Sequence, residues 1–347
     1  MNHRIDDRVV AAHLTSRRFG LVIGFLAVLL IVVVVACVAV GPVRIDVIRA
    51  LSAPNDGGID ATILFRTRLP RVLLAIAVGA GLAMSGTVLQ ALLRNPLAEP
   101  HILGVSGGAA FGGVMTLFLA GRVALPAYLL TPIGSFAGAL IAMLVVYRLG
   151  TVHGRLQPYT FLLAGVVCNA FTGALIMTVN AMANLFQTHG ILFWLMGSLT
   201  TTSYPLVAAS FVYIGFGGAL LLRDTRALNA LSLGEDSAMQ LGVDVAAVRR
   251  LGFVVSSLLV GAAVAVSGMI GFVGLIVPHV TRLLFGPDHR LLLPASALAG
   301  GIFLALADTL ARSISSTSEV PVGVVTAICG GPFFVYLLRR QSGRGLV

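Results

Sequence analysis

The sequence predicts an all-α, polytopic membrane protein of about ten spans. Three observations carry this. Of 347 residues, 58% are hydrophobic and only 10% charged, with mean hydropathy +1.00; a soluble domain so poor in charge would expose a large apolar surface and aggregate. The apolar residues come in runs of about 20, the length that crosses a bilayer as helix. The alternating segments of about ten residues that a transmembrane barrel needs are missing.

The first run, 19–40, is too long for a signal peptide's apolar core and no small-residue cleavage site follows it. It is read as span one, behind a tail at 1–18. A loop follows at 41–67, with "SAPNDGG" as its flexible part. Span two is about 70–92 and span three about 103–120. "GRVALPA" turns into span four, about 127–149, and "GTVHGRLQP" into span five, about 159–183. "WLMGSL" (194–199) reads as a short surface helix before span six, about 204–222. The polar stretch 223–250 leads to span seven, about 250–267, and to a short span eight, about 274–285. "GPDHR" turns into span nine, about 292–313, and "SSTSEVP" into span ten, about 322–338. One transmembrane domain thus covers 19–338, with a second tail at 339–347.

The net charge of +10 would suggest nucleic acid in a soluble protein. Here the charges sit between spans, so topology explains them and no nucleic-acid partner is expected. Sixteen arginines fall on the side of the N-terminus and seven on the other, which predicts both termini in the cytoplasm of a bacterial inner membrane. There is no lysine. A Walker A loop needs one on the β/γ-phosphates, so the chain is expected to have no ATPase site and no catalytic residue of its own. Cys37, Cys168 and Cys329 lie far apart inside apolar helices, with no spacing for a metal or a disulfide framework, and read as inert buried thiols.

Two stretches resemble each other. "AMSGTVLQALLRNPLAEPHILGV" starts at Ala83 and "AVSGMIGFVGLIVPHVTRLL" at Ala265; each runs from Ser-Gly to Pro-His. Spans two to five and seven to ten would then be inverted repeats, as in transporters whose broken helices meet at the substrate path. Pro96 and Pro100 disfavour helix at Asn95 and Glu99, so 94–101 reads as a turn. Glycines 104, 107, 108, 112 and 113 fit either close helix packing or a short helix lining a path.

Several motifs in order now resemble the FecCD family. They are "RLPR" (68–71), "SGTVLQALLRNPLAEPHILGVSGGA" (85–109), "LLAG" (162–165), "WLMGSL", "LGEDSAMQLGV" (233–243), "SGMIGFVGLIVPHVTRLLFGPDHRLLLP" (267–294) and "PVGVVTAICGGPFFVYLL" (321–338). The resemblance implies a permease subunit of an ATP-driven ABC importer for a ferric siderophore, haem or cobalamin, an iron chelate being favoured. It implies a homodimer with the pathway on its axis, two ATPase subunits that bind ATP and Mg, and a periplasmic binding protein. This chain itself would bind no cofactor. Asn95 and Leu97 would form the cytoplasmic gate with Pro158 and Tyr159, although relatives can carry small hydroxyl residues where this chain has Pro-Tyr.

The remaining site residues come from the same resemblance weighed against plainer readings. Within 223–250, Leu231, Leu233, Met239 and Leu241 are apolar knobs, with Gly234 and Gly242 as breaks. They fit a solvated loop or helix-in-groove docking. The family makes Ser232 to Gly242 the ATPase-coupling element: Ser232, Leu233, Gly234, Glu235, Asp236, Met239, Leu241 and Gly242. Arg68, Arg71 and Arg312 at outer helix ends fit headgroup anchoring or, for Arg312, a pair with Asp308 on one helix face; the resemblance favours docking of the binding protein, whose acidic residues such arginines would meet. His101 and His279 read as helix-end caps and not as a metal site. A rival reading is an ion- or proton-coupled secondary transporter, for which Asp308 is the one clear intramembrane acid.

Overall fold

Each apolar run closes its backbone hydrogen bonds within itself, as it must where no water can satisfy them. The computed structural model describes residues 14–52, 58–120, 127–152, 155–200, 203–314 and 319–342. Most of the 1–18 tail, the middle of "SAPNDGG", most of "GRVALPA" and the last five residues of the second tail lie outside them.

In chain order, α1 (Ser16–Ala39) is followed by α2 (Val47–Ser52) and α3 (Ile59–Thr62), which passes through a π-helical turn (Ile63–Arg68) into α4 (Leu69–Leu92). A 3₁₀ turn (Pro100–Leu103) leads into α5 (Val105–Leu119). Next come α6 (Ala127–Gly150), the two-residue strands β1 (Thr151–Val152) and β2 (Arg155–Leu156), α7 (Pro158–Met182), α8 (Leu185–Leu195) and α9 (Tyr204–Arg223). The short α10 (Thr225–Ser232) and α11 (Glu235–Gln240) precede α12 (Val245–Ser267), α13 (Val273–Phe285), α14 (His289–Ser313) and α15 (Val322–Ser342). Among the described residues seven helical segments are long and apolar enough to cross a membrane, and α5, α13 and α15 contribute three shorter apolar helices.

Four expectations are corrected. The 41–67 loop is not irregular, because α2, α3 and the π turn occupy much of it. The surface helix lies at 185–195, closed by an Asn184–Gln187 capping box, while 194–199 holds its end and a turn at Gly197, φ 80°. Span seven begins at Val245, since the Asp244 side chain accepts from the Ala247 amide at 3.0 Å and caps the helix there. The thiols are not all buried, since Cys329 is exposed.

The helix contacts obey a swap rule that the inverted repeat requires. Span two (α4) packs on spans nine (α14) and eight (α13), and span seven (α12) packs on spans four (α6) and three (α5). Span five (α7) touches spans three and four, as span ten (α15) touches eight and nine. Equivalent helices are five spans apart, so in a membrane they run in opposite directions. The first helix joins from outside, burying only Leu26, Val33 and Cys37 and presenting a face of Leu21, Phe25, Val28 and Ile31.

The centre of the bundle is α4, buried almost throughout, as a helix apolar all round should be. Its fit depends on Gly86: a Cβ there would lie 1.9 Å from the Gly274 carbonyl oxygen. Only a hydrogen side chain lets α4 and α13 meet this closely.

Candidate transport site: the two breaks, the elbow and the arginine cluster

The two Ser-Gly to Pro-His stretches each break a helix and are tied together. Arg94 (φ 49°) and Gly104 (φ 81°) bound the first break, and Gly268 (φ 66°) and Phe272 (φ 68°) the second. Asn95 Oδ1 accepts the Leu97 amide at 2.9 Å, a local turn that stops α4. The Phe272 amide donates to Glu99 Oε1 at 2.5 Å, and His101 Nε2 lies 2.7 Å from the Ile270 carbonyl. Asn169 on α7 donates to the His101 carbonyl at 2.8 Å. His101 therefore bridges the repeats, which corrects its reading as a helix-end cap. His279 instead lies inside α13 with its ring edge-on to Phe333, 5.9 Å between centroids. Of the expected gate residues, Asn95 and Tyr159 are exposed while Leu97 and Pro158 are half-buried. The turn meets α7 at Gly165, Cys168 and Asn169, further along that helix than Pro158 and Tyr159.

At the same end, α10 and α11 form a two-helix elbow broken where expected, at Gly234 (φ 122°) and Gly242 (φ 79°). The apolar knobs separate into two sets. Leu228 and Leu231 are buried in the bundle, whereas Leu233 (69%), Met239 (55%) and Leu241 (66%) are exposed. Asn229 fixes the elbow to the start of α14: its Oδ1 accepts the His289 amide at 2.8 Å and its Nδ2 donates to Asp288 at 2.8 Å. Two hydrogen bonds to Arg249 join Glu235 to α12 and hold its carboxyl below the usual range. Asp288, bonded foremost by Arg290 and also by Asn229, is held down at about 2. Asp236 is exposed and Ser232 turns back onto the Asn229 carbonyl at 2.6 Å.

At the other end stand Arg68, Arg71 and Arg312, and here the reading as a free docking row is corrected. All three are 5% exposed or less. The last carbonyls of α1 have no intrahelical partner, and the arginines supply one. Arg68 donates to Val38 at 3.0 Å, to Ala39 at 2.7 Å and to Val43, and Arg312 donates to Cys37. Arg71 grips Asp308 at 2.9 Å through a forked contact and reaches Glu319 at 2.9 Å. The expected Asp308–Arg312 pair is looser, at 3.8 Å. The acid on which the secondary-transporter reading rests is thus held by two arginines near the end of α14.

A match to the FecCD transport family covers residues 29–340. The chain belongs to this family. The cobalamin import permease BtuC of Halobacterium salinarum is 45% identical over 86% of this chain and 79% of its own length. The hemin transport permease HmuU of Yersinia pestis is 40% identical over 92% of this chain and 96% of its own. The solved structure of a putative metal-chelate type ABC transporter in an inward-facing conformation aligns at TM-score 0.80 and 33% identity, over 92% of this chain and 99% of that one. This FecCD chain is therefore a membrane protein and the permease subunit of an ABC importer, a transport component that acts with an ATPase and a substrate-binding protein. Glu99 was read in the sequence only as the position before Pro100, and Glu319 and Asn229 were not singled out; the cue available was a polar residue inside or abutting an apolar run.

Proposed function

We propose that this FecCD permease forms a homodimer whose axis is the import pathway for an iron chelate, a ferric siderophore or haem, in the bacterial inner membrane with both termini cytoplasmic. A periplasmic protein delivers the cargo. Two ATPase subunits bind ATP and Mg and supply the energy, because this chain has no lysine from which to build a phosphate loop.

The observation that carries the reading is the elbow. Leu233, Met239 and Leu241 stand in water on an otherwise polar segment, and burying them in a groove of the ATPase would recover apolar area. Asn229, Asp288 and Arg249 then pass a push on α10 and α11 to α14 and α12. The turn at Asn95 and Leu97, beside the elbow, closes the inner mouth with Pro158 and Tyr159. At the other end the binding protein meets a surface that Arg68, Arg71 and Arg312 shape from beneath.

The iron-chelate cargo is supported by the hemin permease and the metal-chelate transporter among the relatives. Cobalamin is the second reading, favoured by the 45% identity to the cobalamin permease. The test is uptake into proteoliposomes holding the permease and its cognate ATPase, with the binding protein loaded in turn with ferric siderophore, haem or cobalamin. ATP-dependent uptake of an iron chelate supports the first reading. Uptake of cobalamin alone supports the second, and uptake that needs no ATPase overturns both.

A further inference from the structure

At the elbow end lies a pocket of about 370 Å³ between the end of α4, the elbow and the start of α14. Gln90, Arg94, Pro96, Ser232, Arg282 and His289 line it, and no carboxylate does. The nearby acids are already engaged, Glu235 by Arg249 and Asp288 by Arg290. Among the described residues neither Arg94 nor Arg282 has an acid within ion-pair distance. Arg282 instead donates to the amide oxygen of Gln90 at 3.0 Å. Two guanidinium groups therefore share one concave space that no carboxylate of the described residues lines; the Glu235 charge reaches Arg94, but its carboxylate is bonded to Arg249. Such an arrangement holds an oxyanion through charge-assisted hydrogen bonds.

A second observation comes from His289. It is 4% exposed, and its Nε2 is buried with no hydrogen-bond partner. The other ring nitrogen is committed. Asn229 Nδ2 faces a carboxylate oxygen of Asp288, which orients the amide, and its Oδ1 then lies 2.7 Å from His289 Nδ1. Nδ1 must carry a proton to meet that oxygen. Burial and then the neighbouring Arg282 push the ring below the usual imidazole range, so without an anion it is neutral; a bound anion supplies the counter-charge that lets a second proton sit on Nε2 and makes the ring a cationic donor. The charged groups around the ring are Arg282 from α13, Arg94 from the end of α4, and Asp288 at the start of its own helix.

We propose that this pocket is a binding site for a phosphate-class oxyanion, held by Arg94, Arg282 and the protonated His289. The oxyanion is free phosphate or the headgroup of an anionic lipid. The elbow that meets the ATPase forms one wall, so occupancy ties Ser232 on α10 to the turn at Arg94.

The test uses the full-length chain. In phosphatidylcholine nanodiscs it is titrated with inorganic phosphate by calorimetry. In nanodiscs containing phosphatidylglycerol, native mass spectrometry counts the lipids retained. Arg94→Gln and Arg282→Gln should each weaken binding about tenfold or more, while Arg148→Gln, which removes an exposed arginine outside the pocket, should leave it unchanged. Phosphate binding identifies the free ion, and retained phosphatidylglycerol identifies the headgroup. The binding heat should depend on the buffer, reporting proton uptake by His289 on top of the phosphate's own, and that dependence should be smaller in His289→Asn, which keeps a nitrogen for Asn229 and lacks the second one. Equal buffer dependence in the variant overturns the role of His289. If Arg282→Gln fails to fold, the exposed Arg94 carries the test. Neither probe binding, or equal binding by all variants, overturns the site. Loss of binding when the cognate ATPase is added also overturns it, and assigns the pocket to a carboxylate of that partner.

Discussion

The two ends of the bundle break the usual inside–outside rule in opposite ways. At the elbow, leucine and methionine stand in water: Leu233, Met239 and Leu241 are more than half exposed. At the other end charge is hidden: Arg68, Arg71, Arg312 and Asp308 are buried. An exposed apolar cluster on a polar segment is unfinished and gains by meeting another protein. A buried charge cluster is nearly finished: every cation already has a carboxylate or an orphan carbonyl, although among the described residues Arg312 Nε has no hydrogen-bond partner. The elbow is thus the end where, on the proposed function, a partner would contribute binding energy, and the arginine end is where the chain holds itself together.

That contrast can be broken, and the largest effect on the fold is expected at Asp308. Asp308→Ala leaves Arg312 buried without a carboxylate and Arg71 with only the more exposed Glu319, and should cost about 3–5 kcal/mol, read as a lowered unfolding midpoint in detergent. A change below about 0.5 kcal/mol would mean that the guanidinium groups reach water. Midway between the ends, Gly86→Ala drives a methyl group into the Gly274 carbonyl and should cost about 1–3 kcal/mol, measured in the same way.

Smaller effects are expected at the elbow. Bonding by Arg290 depresses Asp288 to about 2, below its ordinary 3.8. A depressed acid adds stability above its unfolded pKa, and that stability is lost as pH falls through the folded value. The window is therefore about pH 4 down to 2. The group is partly exposed, so no more than about 1 kcal/mol is at stake. Asp288→Asn should flatten the acid side of the stability curve there, and an unchanged slope would show the pair to be solvated. Least of all for the fold, Leu233→Asp and Leu241→Asp should shift stability by less than about 0.5 kcal/mol. In the assembled transporter each should nevertheless uncouple ATP hydrolysis from uptake. Normal transport in both would remove the elbow from the coupling path.

How much of this was legible beforehand differs by element. The ten spans were readable because hydropathy is summed over a local window, and α1, α6 and α7 begin and end within three residues of where their apolar runs do. The knobs of the elbow were readable as apolar, but not which of them were free: Leu231 and Leu233 are two apart, and one is core while the other is surface. The surface helix was misplaced because its only strong signal, the Asn184–Gln187 box, precedes the aromatic segment that drew attention. His101 looked like a cap because its partner, the Ile270 carbonyl, lies 169 residues away.

The sequence alone settled the class of molecule, the number and order of spans, the absence of a phosphate-binding lysine and the kinship with FecCD permeases. Those depend on composition, local pattern and short motifs, which need no knowledge of neighbours. Only the tertiary structure decided which polar groups face inward. Arg71 meets Asp308 and Glu319 across 237 and 248 residues of chain, and Arg68 and Arg312 find the end of α1. In a medium of low dielectric an ion's cost depends steeply on whether a partner sits within a few ångströms. That distance is set by how the helices pack and not by the order of the residues along them.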